Sequence, residues 1–291
     1  MTEIVVKDLF KDYDRVPVLE RVNLTLTDHE FCVVLGPSGA GKTTFLRLLL
    51  SQETPTRGSI EIDGRPIAPE PEADRGVVFQ RYSVFPHKTV LHNVMIGPEL
   101  TRSRFLGRLF GKARRELEEK ARGLLGQVGL ADAVDKYPVQ LSGGMQQRLA
   151  IAQALIMEPK VLLLDEPFGA LDQSTKKSMH GLILDLWRAN RMIIIMVTHD
   201  IQEAFTLGTR VLMIDKVRHD PQAPEAYGST ITQHLRLDPQ RKPSLGLAGA
   251  EESRTMQDIF RSWADRMGPA VVADPADEPP RQPELLCHAG E

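Results

Sequence analysis

Apolar and polar positions alternate through the opening residues of the chain, and the alternation then gives way to solid apolar runs. Ile4 to Leu9 and Val18 to Leu26 read as strands with one buried face, the second through Val22, Leu24 and Leu26, with a polar turn containing Tyr13 between them. A short strand from Ser59 to Ile62 leads into the turn Asp63-Gly64. The solid runs are Phe31 to Leu35, Gly76 to Phe79, Val161 to Leu164, Met192 to Val197 and Val211 to Ile214. Strands of that composition are buried on both faces, as in a parallel sheet covered by helices. Helical spacing marks TTFLRLLL after Lys42, Lys88 to Asn93, Lys112 to Val128, Gly144 to Met157 and Thr175 to Asn190. Within the third of these, KARRELEEKAR carries interleaved charges and reads as a solvated face.

Three strand ends carry candidate chemistry. After Phe31 to Leu35 comes GPSGAGKT, that is Gly36, Pro37, Ser38, Gly39, Ala40, Gly41, Lys42 and Thr43, with Thr44 opening the next helix. A strand, a glycine-rich turn and a helix start point backbone N–H groups and the positive end of the helix dipole at one small volume, which suits a phosphate chain. Lys42 adds a mobile positive charge for the outer phosphates, and the Thr43 hydroxyl suits a magnesium ion carried by the nucleotide. Val161 to Leu164 ends in Asp165-Glu166-Pro167, where Asp165 is placed to bind magnesium through water and Glu166 to orient or deprotonate an attacking water. Met192 to Val197 delivers Thr198-His199-Asp200 to the same sheet edge, which favours a contact of His199 with the terminal phosphate or the attacking water. A second anion-ready helix start lies at Ser142, Gly143 and Gly144, with Ser142 as the cap. Tyr13, read from its position alone, suits stacking on a purine ring and half-buried packing equally.

Composition narrows the classes. At 291 residues, 42% hydrophobic and 26% charged, the chain is an ordinary globular protein of one large or two modest domains. A formal charge of −3 argues against wholesale nucleic-acid binding. Two cysteines, Cys32 and Cys287, make neither a disulfide framework nor a cysteine metal site, which suits a reducing compartment. The start lacks the layout of a secretory signal, and no apolar run approaches the roughly 18 residues of a membrane span, so a membrane role is expected to be peripheral.

The motifs in their order resemble the ATP-binding subunit of an ABC transporter over about residues 3 to 215: GPSGAGKT, the glutamine Gln80, LSGGMQQR from Leu141 to Arg148, VLLLDEP from Val161 to Pro167, the ALD stretch Ala170 to Asp172, and His199. The resemblance implies an α/β fold with a P-loop NTPase (RecA-like) core, an antiparallel β subdomain and an α-helical insert at about 84–158. It implies ATP and Mg2+ as ligands, with Tyr13 on the adenine, Thr43, Gln80 and Asp165 in the magnesium shell, Glu166 as catalytic carboxylate and His199 as γ-phosphate switch. It also implies that Ser142, Gly143, Gly144 and Met145 of one subunit cover the nucleotide on a second, with Asp172 nearby. The expected partners are therefore a second cassette, integral membrane permease subunits and, indirectly, a solute-binding protein, at the cytoplasmic face of the inner membrane.

ADRGVVFQ, YPVQLSGGMQQRLAIAQAL, DEPFGALD and THDIQEA are similar to the ATPases of nitrate, sulfonate and taurine importers. The chain departs from that pattern at His29, at Gln153, at Leu50 to Glu53 and after Arg210, where the usual proline- and glycine-rich ending is lacking. Tyr82 and Phe85, in the segment Gln80 to Val94, fit either the docking of a membrane-subunit helix or the core of the insert. From about residue 217 a proline-rich extension reads as largely irregular. Within it Met256, Ile259, Phe260, Trp263 and Met267 predict a short amphipathic helix at about 255–267, either packed on its own domain or regulating closure. Two other classes stand beside the transport ATPase: a soluble ABC-type ATPase acting on ribosomes or DNA, which usually needs two cassettes or a long coiled-coil insertion, and a non-hydrolysing regulatory subunit, which the intact Lys42, Glu166 and His199 oppose.

Overall fold

Residues 1–79, 84–103, 107–218, 220, 222–223 and 225–237 are described, from a computed structural model. The chain divides into two units, Met1–Gln240 and Arg241–Glu291, and the described residues all lie in the first. The expectations for Gln80, Tyr82 and the helix at 255–267 fall outside the described residues.

The alternating opening folds as an antiparallel hairpin. β1 (Glu3–Tyr13) pairs β2 (Val16–Thr27) with Ile4 opposite Leu26 and Val6 opposite Leu24, so that these four side chains share the buried face. Tyr13 ends β1 opposite Val16, so the turn is shorter than its polarity suggested. It consists of Asp14 and Arg15, both at positive φ, as a tight two-residue hairpin requires. β4 (Arg57–Ile62) pairs the other edge of β1 and turns back through Asp63-Gly64 into β5 (Arg65–Pro66).

The solid apolar runs form the parallel half: β6 (Arg75–Val78), β7 (Val161–Asp165), β8 (Ile193–Val197), β3 (Phe31–Leu35) and β9 (Arg210–Lys216) are neighbours in that order. Every residue of β3 and β8 is buried, as helices on both faces demand. Register sets Val197 beside both Asp165 and Val34, which brings the carboxyl ends of β3, β7 and β8 to one edge. That edge is where a sheet of this kind holds its ligand.

The insert comprises α2 (Val90–Arg102), α3 (Gly111–Gln127) and α4 (Gly143–Leu155), which pack through Val94, Met95, Leu117, Leu125 and Leu149. α2 runs well past Asn93, through Pro98, because buried packing outweighs the missing N–H there. α4 continues onto β6, where a Cβ on Gly76 would sit 3.3 Å from that of Ala154. The other α-helices among the described residues are α1 (Lys42–Leu49), α5 (Gln173–Asn190) and α6 (Ile201–Leu207). α6 has no periodic signal of its own and is started by the Asp200 side chain, which accepts from the Gln202 and Glu203 amides.

One strand was hidden in the polar extension. β10 (Ser229–Arg236) pairs β9 antiparallel and touches β2 at Ser229, joining the two halves into one ten-stranded sheet. Its sequence, STITQHLR, is amphipathic and too polar to stand out, and it is held by a distant cation. Buried Arg210 donates from Nε to His234 Nε2 at 2.6 Å and from Nη1 to the Thr25 carbonyl at 2.6 Å and Glu30 at 2.8 Å. Burial, then Arg210 and Arg236, push the His234 pKa below the ordinary 6.5. A lowered histidine pKa gives a contribution present above 6.5 and lost as pH falls through the folded value. The protection factors of the amides in Ser229–Arg236, that is exchange corrected for its intrinsic slowing in acid, should therefore fall in mild acid, and His234→Gln should abolish that fall; hydrogen exchange across pH 5 to 8 measures both.

The departures from the family pattern are accommodated locally. His29 takes a φ of 63° and stacks on Trp187 with ring centroids 4.2 Å apart. Gln153 donates to the Asn93 backbone and side-chain oxygens at 3.2 and 3.3 Å. Ser51 takes a φ of 56° and its hydroxyl accepts from Arg75 at 3.0 Å, while Glu53 pairs with Lys11 at 2.9 Å. None of these lies in the loops at the sheet edge described above.

Candidate functional site

The loop after β3 depends on its glycines. A Cβ on Gly36 would lie 2.2 Å from the Ile214 carbonyl oxygen, so only glycine lets the loop leave the sheet against β9. Gly39 and Gly41 both take a φ of 81°, and a side chain on Gly41 would meet Val18 and Leu19 at 2.9 Å. Ala40 is buried, whereas Ser38 and Gly39 are exposed. No side chain caps α1, so the amides at its start, from Lys42 through Thr44, remain oriented toward the loop. Contact of the loop with the start of β2 also brings the hairpin bearing Tyr13 toward it; Tyr13 is 37% exposed and its ring lies 4.7 Å beneath the Lys11 ammonium.

Lys42 is buried, and its ammonium donates to the Gly36 and Pro37 carbonyls at 2.7 and 2.9 Å. Burial lowers its pKa, an effect opposed by Glu166 and Asp165. Thr43 Oγ1 donates to Asp165 Oδ1 at 3.3 Å. Burial pushes the Asp165 pKa up; the Thr43 hydrogen bond opposes the shift and the Glu166 charge adds to it. The pair is a hard oxygen donor set suited to Mg2+. Among the described residues no group of three or more His, Cys, Asp or Glu side chains could hold a metal by itself. A magnesium ion that brings phosphate oxygens and waters with it fits these two donors.

Glu166 is held in the left-handed region at φ 44°, its amide donating to the Val197 carbonyl at 2.9 Å. A non-glycine residue there is uncommon and carries strain of about 1 kcal/mol or more. The turn aims the carboxylate along the sheet edge toward His199, whose Nδ1 lies 3.5 Å from Glu166 Oε2. Lys42, Thr43, Asp165, Glu166 and His199 are thus gathered from three strand ends.

Ser142 accepts from the Met145 amide at 3.4 Å as the cap of α4, with Gly143 and Gly144 opening the helix. This start is packed not on the phosphate loop but on the first turn of α5, where a Cβ on Gly144 would sit 2.6 Å from Thr175 Cγ2. Asp172 caps α5: its carboxylate accepts from the Ser174 and Thr175 amides at 3.0 Å and from both hydroxyls at 2.6 Å, which holds its pKa far below the usual carboxylate range. Phe85 is 39% exposed rather than insert core. Asn93 fixes the turn that presents it, donating to the Phe85, Lys88 and Thr89 carbonyls and accepting from the Phe85 amide. Lys176, which contacts the histidine segment, lies outside every motif read from the sequence; Thr198 and Glu203 lie within THDIQEA, but nothing in that stretch relates them to Lys176.

The profile of the ABC transporter family matches residues 19–169. The nitrate import ATP-binding protein of Synechocystis is 44% identical over 68% of this chain and 71% of its own length. The taurine import ATP-binding protein of Pseudomonas syringae is 41% identical over 79% and 80%. A dimeric bacterial ABC transporter cassette superimposes with a TM-score of 0.66 at 30% identity, over 81% of this chain and 99% of that one. A cassette dimer in a post-hydrolysis state bound to ADP and Pi gives a TM-score of 0.63 at 28% identity over the same shares. No helix among the described residues is long and apolar enough to cross a membrane. The site and these likenesses agree: the chain belongs to the ABC transporter family, as an ATPase cassette of the P-loop α/β fold.

Proposed function

We propose that this chain is the ATP-hydrolysing subunit that energises a membrane importer of a small solute, of the nitrate, sulfonate or taurine kind, from a peripheral position on the cytoplasmic face of the membrane. The observation that carries the hydrolytic part is the convergence of Lys42, Asp165, Glu166 and His199 on one sheet edge. The importer assignment is supported by the relatives named above.

In this reading Lys42 exchanges the Gly36 and Pro37 carbonyls for phosphate oxygens, and the loop amides with the start of α1 neutralise the remaining charge. Tyr13 stacks on the adenine. Thr43, Asp165 and Gln80 hold the magnesium ion, which supplies charge neutralisation between the outer phosphates. Glu166 orients the attacking water and takes its proton. His199 contacts the γ-phosphate and senses its loss. Ser142 to Met145, whose Gly144 rests on Thr175 of α5, cover the nucleotide of a second copy, with Asp172 at the same interface. Two-fold pairing then follows, and closure on ATP moves the permease subunits through the surface around Phe85.

Two measurements test this. Ser142→Arg should leave ATP affinity within about twofold of wild type while abolishing ATP-dependent dimerisation in size-exclusion chromatography; equal loss of both would contradict a shared site. The tagged full chain, purified from its host's membranes in detergent, should co-elute with multi-span integral membrane proteins. Recovery with ribosomes or DNA instead would favour the soluble ABC ATPase.

A further inference from the structure

The His199 side chain is exposed and its Nδ1 lies 3.5 Å from Glu166 Oε2, so its direction depends on the backbone segment that carries it. Its neighbours on both sides are fixed. Thr198, buried, donates from Oγ1 to Glu203 Oε2 at 2.7 Å and accepts from the Asp200 amide at 3.0 Å. Asp200 caps α6. Both carboxylates converge on one ammonium from another helix: Lys176 Nζ lies 3.2 Å from Glu203 Oε1 and 3.5 Å from Asp200 Oδ2. The Glu203 side chain is 4% exposed and that of Lys176 20%, so the pair is largely shielded from solvent.

Lys176 belongs to the first turn of α5, where its amide donates to the Asp172 carbonyl at 2.9 Å. The Asp172 carboxylate is saturated by Ser174 and Thr175, which leaves the Lys176 ammonium to the α6 acids. Thr175, one residue before, is the side chain on which Gly144 of α4 rests. One helical turn therefore touches the start of α4, carries Asp172, and grips the segment on either side of His199.

We propose that Lys176 is a positioning residue for His199, locking the histidine to the first turn of α5 so that displacement of that turn on dimer closure moves the histidine with it. The inference rests on the reading of His199 as the γ-phosphate contact.

The test uses the full chain and compares Lys176→Met, Lys176→Arg, Glu203→Gln and His199→Ala for turnover and for affinity toward fluorescent ATP and ADP analogues. Lys176→Met should lower kcat roughly 10- to 100-fold, the cost of a misplacement of about 1 Å. It should weaken the ATP analogue without weakening the ADP analogue, and Lys176→Arg should restore both. Glu203→Gln, of unchanged size, should shift ATP-over-ADP preference the same way by a smaller factor, and serves if Lys176→Met does not fold. In a His199→Ala background Lys176→Met should add no further loss of that preference. Equal weakening of both analogues, or wild-type kinetics with only a lower Tm, would overturn the proposal. If His199→Ala itself keeps full turnover and ATP preference, the γ-phosphate reading fails and this inference with it. If His199→Ala is impaired while Lys176→Met equals wild type, only this inference fails.

Discussion

Glu166→Gln should stop turnover while leaving ATP bound. Glutamine keeps the size of the side chain and accepts a similar backbone conformation, so the turn at φ 44° and the amide bond to Val197 are expected to survive. What disappears is the acceptor for the proton of the attacking water. General-base catalysis contributes typically about 10²- to 10⁴-fold, and kcat should fall by that order. Removing the charge also removes an influence on its neighbours: Glu166 raises the Asp165 pKa and supports the protonated Lys42. Asp165 then ionises more readily for magnesium, and the lost support of the Lys42 ammonium is offset by the removal of a negative charge facing the phosphates, so an ATP-bound dimer should accumulate and be visible by size-exclusion chromatography or small-angle scattering. Turnover within tenfold of wild type, or an ATP-independent monomer, would remove Glu166 from its assigned role.

Lys42→Ala should act at the opposite step. The ammonium is the one side-chain cation hydrogen-bonded within the phosphate loop among the described residues, and a hydrogen bond to a charged group is worth about 1.5–3 kcal/mol. Multiple phosphate oxygens raise that figure, so affinity for ATP should drop by at least 10- to 100-fold on the order of this estimate. The fold should remain, because the Gly36 and Pro37 carbonyls lie at the loop, where water can replace the ammonium. Equilibrium binding with a thermal melt as control separates the two effects. Lys42→Ala and Ser142→Arg form the sharper comparison: the first loses the nucleotide, the second keeps it and loses the partner. Identical profiles would mean that both residues serve one chain's pocket alone.

The most legible parts of the molecule were those written in short-range patterns. GPSGAGKT announces its own geometry, because Gly36 and Gly41 tolerate neighbours and φ values that a side chain would forbid. Solid runs such as Phe31–Leu35 announce strands buried on both faces, and the break in hydrophobicity at their carboxyl ends, Gly36 after Leu35 and Asp165 after Leu164, marks the sheet edge. The parts that were not legible depend on partners far away in sequence. β10 is an unremarkable polar stretch until Arg210 and Lys216 offer it an edge and a hydrogen-bond partner. α6 is a seven-residue helix below the length at which periodicity can be read. α2 passes Pro98 because α3 and α4 cover its apolar side.

The sequence by itself determined which groups the site could draw on: a glycine-rich loop with Lys42 and Thr43, two carboxylates and a histidine at strand ends, and a second glycine-rich helix start at Ser142. Backbone sterics and strand periodicity are local, so a dozen residues suffice to express them. Only the tertiary structure decided which of these groups meet. Register placed Val197 beside Asp165 and Val34, setting Glu166 against His199, and packing set Gly144 against Thr175 of α5. The ion pairs of Lys176 join residues that nothing in their local sequence relates. Their acidic partners are brought within 3.5 Å by the fold of two helices on one sheet.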